Sequence, residues 1–386
     1  MSDNIMTRER PDVGSYEDIV AAAVRTTGMD DFGDGAHEEG LRVLVDDLAS
    51  AEAGLTPRGN YFQRSEVKSA LVGVLLTQAQ FAAHPEHRDV RVERPVFLTG
   101  LPRTGTTALH RLLHADPMAQ GLEMWLTQYP QPRPARETWE SDPIFAAMQQ
   151  GFSAHHVESP DFMGIHYMDA TTVEECWRLL RQTGKSNSYE SLAHVPRYTA
   201  WLQDQDWTDA YARHRQNLQL VGLNDPEKRW VLKNPSHMTA LDALMAVYPD
   251  ALVVYTHRDP VTCLASSCSL SAETTAGHST TYVGRTIGET QLDLWSRAYH
   301  AFHDARPRYD QSQFVDVAFS DLRADPIGVA RGVYESFGLE WTPEVEAAVG
   351  EIDREARRGK AAPSHAYRLE DYGLTETEVR AAFDRG

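Results

Sequence analysis

The sequence predicts an α/β fold: a parallel sheet flanked by helices, with a helical N-terminal extension and a helical insert. Three observations support this. Four short apolar runs, Val96–Thr99, Trp230–Lys233, Ala251–Thr256 and Phe314–Ala318, read as buried strands. Turns and apolar residues at helical spacing separate them, the alternation that wraps helices over both faces of a parallel sheet. The first run feeds a glycine-bounded loop rich in hydroxyls, Gly100-Leu-Pro-Arg-Thr-Gly-Thr-Thr107, which opens a helix.

Residues 1–14 are polar and aperiodic, and are expected to be disordered. Residues 15–90 read as the helical extension, with apolar faces at Ile19, Ala22, Ala23 and Val24, then at Leu41, Val43, Leu44 and Leu48, then at Leu71, Val74 and Leu75. His84-Pro85 breaks this run, and residues 91–386 form the α/β domain. A helix over Thr106–His114 turns Leu109, Leu112 and Leu113 inward and stops at Asp116-Pro117. Residues 120–225 are a mostly helical insert rich in Trp, Tyr, His and Pro, read as a lid over the cleft, with ordinary core as the competing account. Asn234-Pro235-Ser236 turns the second strand into a helix with Leu241, Leu244 and Met245 inward. After the third strand, Asp259 is placed to cap the next helix with Pro260 at its first position. Asp325-Pro326 opens a helix through Phe337.

The chain has 386 residues, enough for one large α/β domain or two domains. Lys and Arg number 37 against 56 Asp and Glu, a net charge of −19. That balance disfavours a nucleic-acid partner, whose phosphates attract a basic surface. It also makes any local basic cluster informative. No apolar stretch reaches the length of a membrane span, and the first residues contain no apolar signal core, so a cytoplasmic protein is expected. Cys176, Cys263 and Cys268 have neither metal-ligand nor disulfide spacing, which suits a reducing compartment. Oligomeric state stays open between monomer and homo-oligomer.

The glycine-bounded loop resembles a nucleoside-triphosphate P-loop, except that Thr106 stands where that loop carries its lysine and the basic group is Arg103. Backbone N–H groups at such a strand-to-helix junction converge on an anion, and Thr104, Gly105, Thr106 and Thr107 add donors or close approach. Arg103 can fork two oxygens of a phosphate or sulfate. A second cluster follows the third strand: Arg258 at its carboxyl end and Ser266 about two helical turns later. Lys233 ends an apolar strand and either snorkels or reaches into the cleft. Ligands of parallel sheets sit beyond the carboxyl ends of the strands, where all these residues fall.

Together the two clusters resemble the sulfotransferase family that uses 3′-phosphoadenosine 5′-phosphosulfate (PAPS). Further segments are similar to its bacterial branch: Trp230-Val-Leu-Lys-Asn-Pro-Ser-His237, Phe319-Ser-Asp-Leu322 with Asp325-Pro326, His365-Ala-Tyr-Arg-Leu-Glu-Asp-Tyr-Gly373 and Thr27-Gly-Met-Asp-Asp-Phe-Gly33. The resemblance implies that the first loop binds the 5′-phosphosulfate and that Arg258 and Ser266 bind the 3′-phosphate. It implies transfer of a sulfuryl group to a hydroxyl of a small-molecule or glycolipid acceptor, with desulfated PAP as product and no metal. Basic residues Arg358 and Lys360 would fold over the 3′-phosphate, an exposed helix end being the competing account. This chain departs from the family pattern at Arg103, where many members carry Lys. It also has Ala108 where eukaryotic cytosolic relatives have Trp, and Asn234 where bacterial relatives usually have Ser.

Sulfuryl transfer resembles phosphoryl transfer, so catalysis is expected to come from positioning and charge stabilisation by Arg103, Lys233 and the loop N–H groups. The acceptor hydroxyl needs a base. Glu123, near Trp125, is the first candidate, a surface Glu being the bland alternative; His237 and His166 are its rivals. The competing functions are a P-loop nucleotide kinase or NTPase, against which Thr106 counts, and a non-catalytic nucleotide-binding protein.

Overall fold

The computed structural model describes residues 8–158, 169–358 and 367–384. Its sheet has five parallel strands: β1 Val96–Gly100, β2 Ala119–Gln120, β3 Arg229–Lys233, β4 Leu252–His257 and β5 Phe314–Ala318, in the order β2-β3-β1-β4-β5. The four expected strands are present within a residue or so at each end. β2 escaped the sequence because its two residues are too few to show a period.

Strand alternation builds two cores. Phe97, Leu232, Val253 and Tyr255 point to one face of the sheet and Val96, Leu98, Val231, Leu252 and Val254 to the other. The second face packs against the helices Thr106–His114, Pro326–Ser336 and Pro343–Arg358 through Leu109, Leu113, Val333 and Val349. The first face holds the larger core, which contains Ile19, Leu41 and Leu71 of the N-terminal helices together with Trp125, Tyr198 and Tyr211 of the insert. The extension therefore shares the core of the α/β domain.

The N-terminal helices are Tyr16–Thr27, Glu38–Leu48 and Pro57–Ala83. A capping box at Ser15 and Asp18 starts the first, and Gly28 in the left-handed region ends it. The expected disorder of residues 1–14 does not hold for residues 8–14: Val13 is buried and the Arg10 N–H donates to the Pro57 carbonyl (2.9 Å). Residues 1–7 lie outside the described residues.

Three helices after β4 lacked an expectation: Arg285–Ala305, Pro343–Arg358 and Glu376–Phe383. Asp259 caps the helix Pro260–Thr274 as expected, accepting from the Thr262 N–H.

Candidate active site

The sheet register brings the sequence clusters to one edge. Gly100 pairs with Thr256 and Leu98 with Lys233, so the carboxyl ends of β1, β3 and β4 converge. Gly100 has φ 139°, and a Cβ there would sit 2.2 Å from the Thr256 carbonyl oxygen, so only glycine lets β1 leave the sheet this way. The loop then passes through left-handed backbone at Arg103 (φ 70°) and Gly105 (φ 89°). Thr104 is buried and pins the turn, donating to the Leu101 carbonyl (2.7 Å) with its Oγ1 2.6 Å from that of Thr256. No side chain caps the helix Thr106–His114 at Gly105. Its first-turn N–H groups, at the positive end of the helix dipole, are thereby left for an anion.

Basic side chains close around this loop. Arg103 Nε donates to Ser266 Oγ (3.1 Å), and Arg258 Nη1 donates to the Arg103 carbonyl (3.2 Å). The Arg258 guanidinium lies 4.2 Å from the centre of the Phe319 ring, a cation–π contact that fixes its plane. Lys233 is 2% exposed and reaches into the cleft, donating from Nζ to Thr107 Oγ1 (3.3 Å) and Glu175 Oε1 (2.5 Å). The helix that carries Ser266 also holds Cys263 and Cys268; burial pushes both thiols up to about 12, so neither is a thiolate at neutral pH.

Beyond Lys233 and Glu175 lies a cavity of about 390 Å³. Its walls come from distant stretches of chain: Phe62 and Glu66, Pro102, Met124, the segment Glu174–Arg181, Leu192, Asn234–Ser236, Leu270 and Trp295. Among the described residues Trp177 is the insert aromatic that lines it. Trp125, Tyr189, Tyr198 and Tyr211 are buried and belong to the core, so most of the aromatic residues expected to form a lid do not. A larger open groove of about 810 Å³, lined by Arg94, Arg229 and Asp250, lies at the amino ends of β1, β3 and β4, the wrong edge for a ligand of a parallel sheet.

Two base candidates are not brought to the cavity. Glu123 is buried, and its carboxylate turns toward the β2 edge, where Arg133 Nε donates to it (3.2 Å). Arg133 also donates to Gln120 Oε1 (2.8 Å) and the Gly121 carbonyl (2.5 Å), so the pair ties the edge strand to the insert. Burial raises the Glu123 pKa and Arg133 opposes the rise. The adjacent Met124 faces the cavity; Glu123 does not. His237 is 1% exposed, with Nδ1 2.7 Å from Tyr211 Oη and its ring edge-on to Phe97. Burial holds its pKa well below the usual imidazole range, as befits a neutral core residue. Arg358 ends the helix Pro343–Arg358 with its side chain 73% exposed, 4.0 Å from Glu351. His166 and Lys360 lie outside the described residues.

Sequence reasoning named neither Glu175 as a base candidate nor most of the cavity walls. One local signal was available: consecutive carboxylates, Glu174-Glu175, directly before Trp177 in the aromatic insert.

The fold and this edge define an α/β protein with an uncapped strand-to-helix loop beside a cavity. Residues 95–343 match the model of the sulfotransferase family, and the chain belongs to that family. It is similar to the crystal structure of sulfotransferase STF1 from Mycobacterium tuberculosis H37Rv, with 52% identity, a TM-score of 0.90, and coverage of 97% of this chain and 99% of that one. Sulfotransferase STF9 from Mycobacterium avium has 28% identity and a TM-score of 0.87, over 97% of this chain and 96% of that one. Omega-hydroxy-beta-dihydromenaquinone-9 sulfotransferase Stf3 of Mycobacterium bovis is 24% identical over 277 residues, 65% of this chain and 64% of its own length. Among the described residues no helix is long and apolar enough to cross a membrane.

Proposed function

We propose that the chain transfers a sulfuryl group from PAPS to a hydroxyl of a small, largely apolar acceptor. The observation that carries this reading is the position of Lys233. Its ammonium bridges Thr107, on the helix that follows the loop, and Glu175, on the cavity wall. A cation with those two contacts sits where the donor and acceptor sides meet.

The donor residues fit a doubly anionic nucleotide. The helix start lacks a side-chain cap, and Arg103, Arg258 and Ser266 supply donors. In this reading the loop, Thr106 and Thr107 hold the 5′-phosphosulfate, and Arg258 with Ser266 holds the 3′-phosphate. PAPS supplies the activated sulfuryl group. Lys233 and Arg103 stabilise the negative charge that develops on the leaving oxygen, each such donor being worth about 3–4 kcal/mol. Glu175, rather than Glu123, takes the proton of the acceptor hydroxyl. It faces the cavity, and Lys233 holds its carboxylate in place. The name of the relative Stf3 specifies omega-hydroxy-beta-dihydromenaquinone-9 as its acceptor, and a cavity walled by Phe62, Met124, Trp177, Leu270 and Trp295 suits a largely apolar alcohol.

The test is calorimetry with PAP followed by mass spectrometry of products formed from PAPS and a panel of alcohols. Binding of PAP and a sulfated product support the reading. Magnesium-dependent ATP turnover without PAP binding would establish the nucleotide kinase alternative instead. PAP binding with no product from any alcohol would favour the non-catalytic alternative.

A further inference from the structure

Next to the acceptor cavity lies a second hollow of about 470 Å³, and the two run along the same pieces of chain. Asn234–Ser236 line the cavity and Thr239–Ala243 the hollow. On the helix Arg285–Ala305, Gln291 and Trp295 face the cavity, and Ala301 and Ala305 face the hollow. Among the described residues one lines both, Asn187. It is 1% exposed. Its Nδ2 donates to Thr239 Oγ1 (2.7 Å), so the amide reaches from the cavity to the wall of the hollow.

The rim of the cavity differs from its floor. Phe62, Leu192, Leu270 and Thr274 are half-buried and form the rim, whereas Asn187, Ser236, Gln291 and Trp295 are buried and form the floor. Two of the floor residues are tied in place: Trp295 Nε1 donates to Gln291 Oε1 (2.9 Å), and Gln291 Nε2 donates to Tyr282 Oη (3.3 Å). Asn187 is held through Thr239, and its Oδ1 is buried without a partner among the described residues. A buried amide carbonyl left unpaired costs stability, and an apolar side chain of the same size would not. What Asn187 contributes is volume between the two hollows. Its backbone is set independently of that side chain. Ser186 caps the turn Asn187–Tyr189 by accepting from the Ser188 N–H, and the Ser186 N–H donates to Tyr198 Oη (3.1 Å).

Resting on the sulfotransferase reading, we infer that Asn187 sets the depth to which the acceptor's apolar body reaches when its hydroxyl is at Glu175. Burial on the floor removes the most apolar surface from water, so the body of a bound alcohol runs inward. Each further methylene buried there is worth about fourfold in affinity until the chain meets Asn187. Beyond that point a longer chain has to fold back toward the rim and gains nothing. A small residue in place of Asn187 opens the partition, and the acceptor gains the hollow beyond, which Leu202, Trp207, Ala240 and Ala301 line in part.

The experiment measures kcat/KM with PAPS as donor for a series of unbranched primary alkanols, from butanol to hexadecanol. The values for the unaltered protein are expected to climb with length and then break to a plateau or a fall. In Asn187→Ala the break should move outward by about two carbons or more, and an alkanol just past the original break should improve about tenfold or more. Asn187→Leu, which fills the same space without the hydrogen bond, should keep the break where it is. Thermal melting verifies that each variant has folded, and Asn187→Ser replaces the alanine variant if that one does not melt cooperatively. A series with no break, a break that Asn187→Ala leaves in place, or one that Asn187→Leu moves as far overturns the inference. Any of these outcomes, with alkanols sulfated, leaves the proposed function standing. PAP binding with no alkanol sulfated sinks the proposed function and this inference together.

Discussion

The proposed donor edge and the proposed acceptor cavity are linked through Lys233, which bonds Thr107 and Glu175, but are built on different plans. The donor edge is a backbone device: a glycine that must lie close to Thr256, two left-handed turns, an uncapped helix start, and side chains from β1, β4 and the residues just after them. The cavity is assembled from side chains of stretches up to more than 200 residues apart, Phe62 to Trp295. Backbone devices demand particular residues at fixed spacing, whereas a cavity wall demands only a shape. Donor binding is therefore expected to tolerate little change, and the acceptor side to be the adjustable half.

The largest expected effect tests which side supplies the base. Glu175→Gln should lower kcat by about 10²–10⁴-fold while PAP affinity stays within about twofold. A comparable fall in Glu123→Gln instead would return the base to the sequence candidate and break the division drawn here. Next is Lys233→Met, at the junction, expected to cost about 10²–10³-fold in kcat. An effect confined to KM would place Lys233 on one side only. Arg258→Ala should weaken PAP about tenfold to a hundredfold, the worth of a hydrogen bond to a charged group, and leave adenosine 5′-phosphate almost unaffected. Equal weakening of both nucleotides would remove Arg258 from the 3′-phosphate.

Smaller effects concern the scaffold. Glu123→Gln should lower stability by about 1–3 kcal/mol in urea unfolding, since Arg133 keeps its bonds to Gln120 and Gly121, with kcat of the folded protein unchanged. Acid should act through buried histidines. Burial lowers His214 from 6.5 to about 3, and His278, also through burial, to about 4. Between those values and 6.5 the unfolded chain binds the extra protons, so stability is lost as pH falls below about 6.5. The slope per histidine approaches 1.4 kcal/mol per pH unit. Urea midpoints that stay level from pH 7 to pH 5 would contradict this.

The same contrast accounts for what the sequence disclosed. The loop, the helix Thr106–His114 and the meeting of Arg103, Arg258 and Ser266 at one edge were legible because the motifs begin at strand ends. Glu123, the first base candidate, is turned from the cavity because it and Met124 are neighbours that face opposite ways: the chain enters a helix at Met124, and Arg133 from ten residues further on claims the glutamate. No spacing rule reveals such a pairing. Phe62 and Glu66 were unreadable as cavity residues for a related reason: they are ordinary positions of a long helix until the fold sets that helix beside the sheet edge.

Glu174, Glu175, Trp177, Arg178 and Arg181 occupy one short stretch, so the proposed proton acceptor and a large part of the cavity wall ride on a single piece of backbone. A one-residue insertion or deletion there would disturb turnover and selectivity together. Descendants of this chain that adopt new alcohols should accordingly keep that octet intact and vary Phe62, Leu192, Leu270 and Trp295, where a substitution reshapes the chamber without moving the machinery.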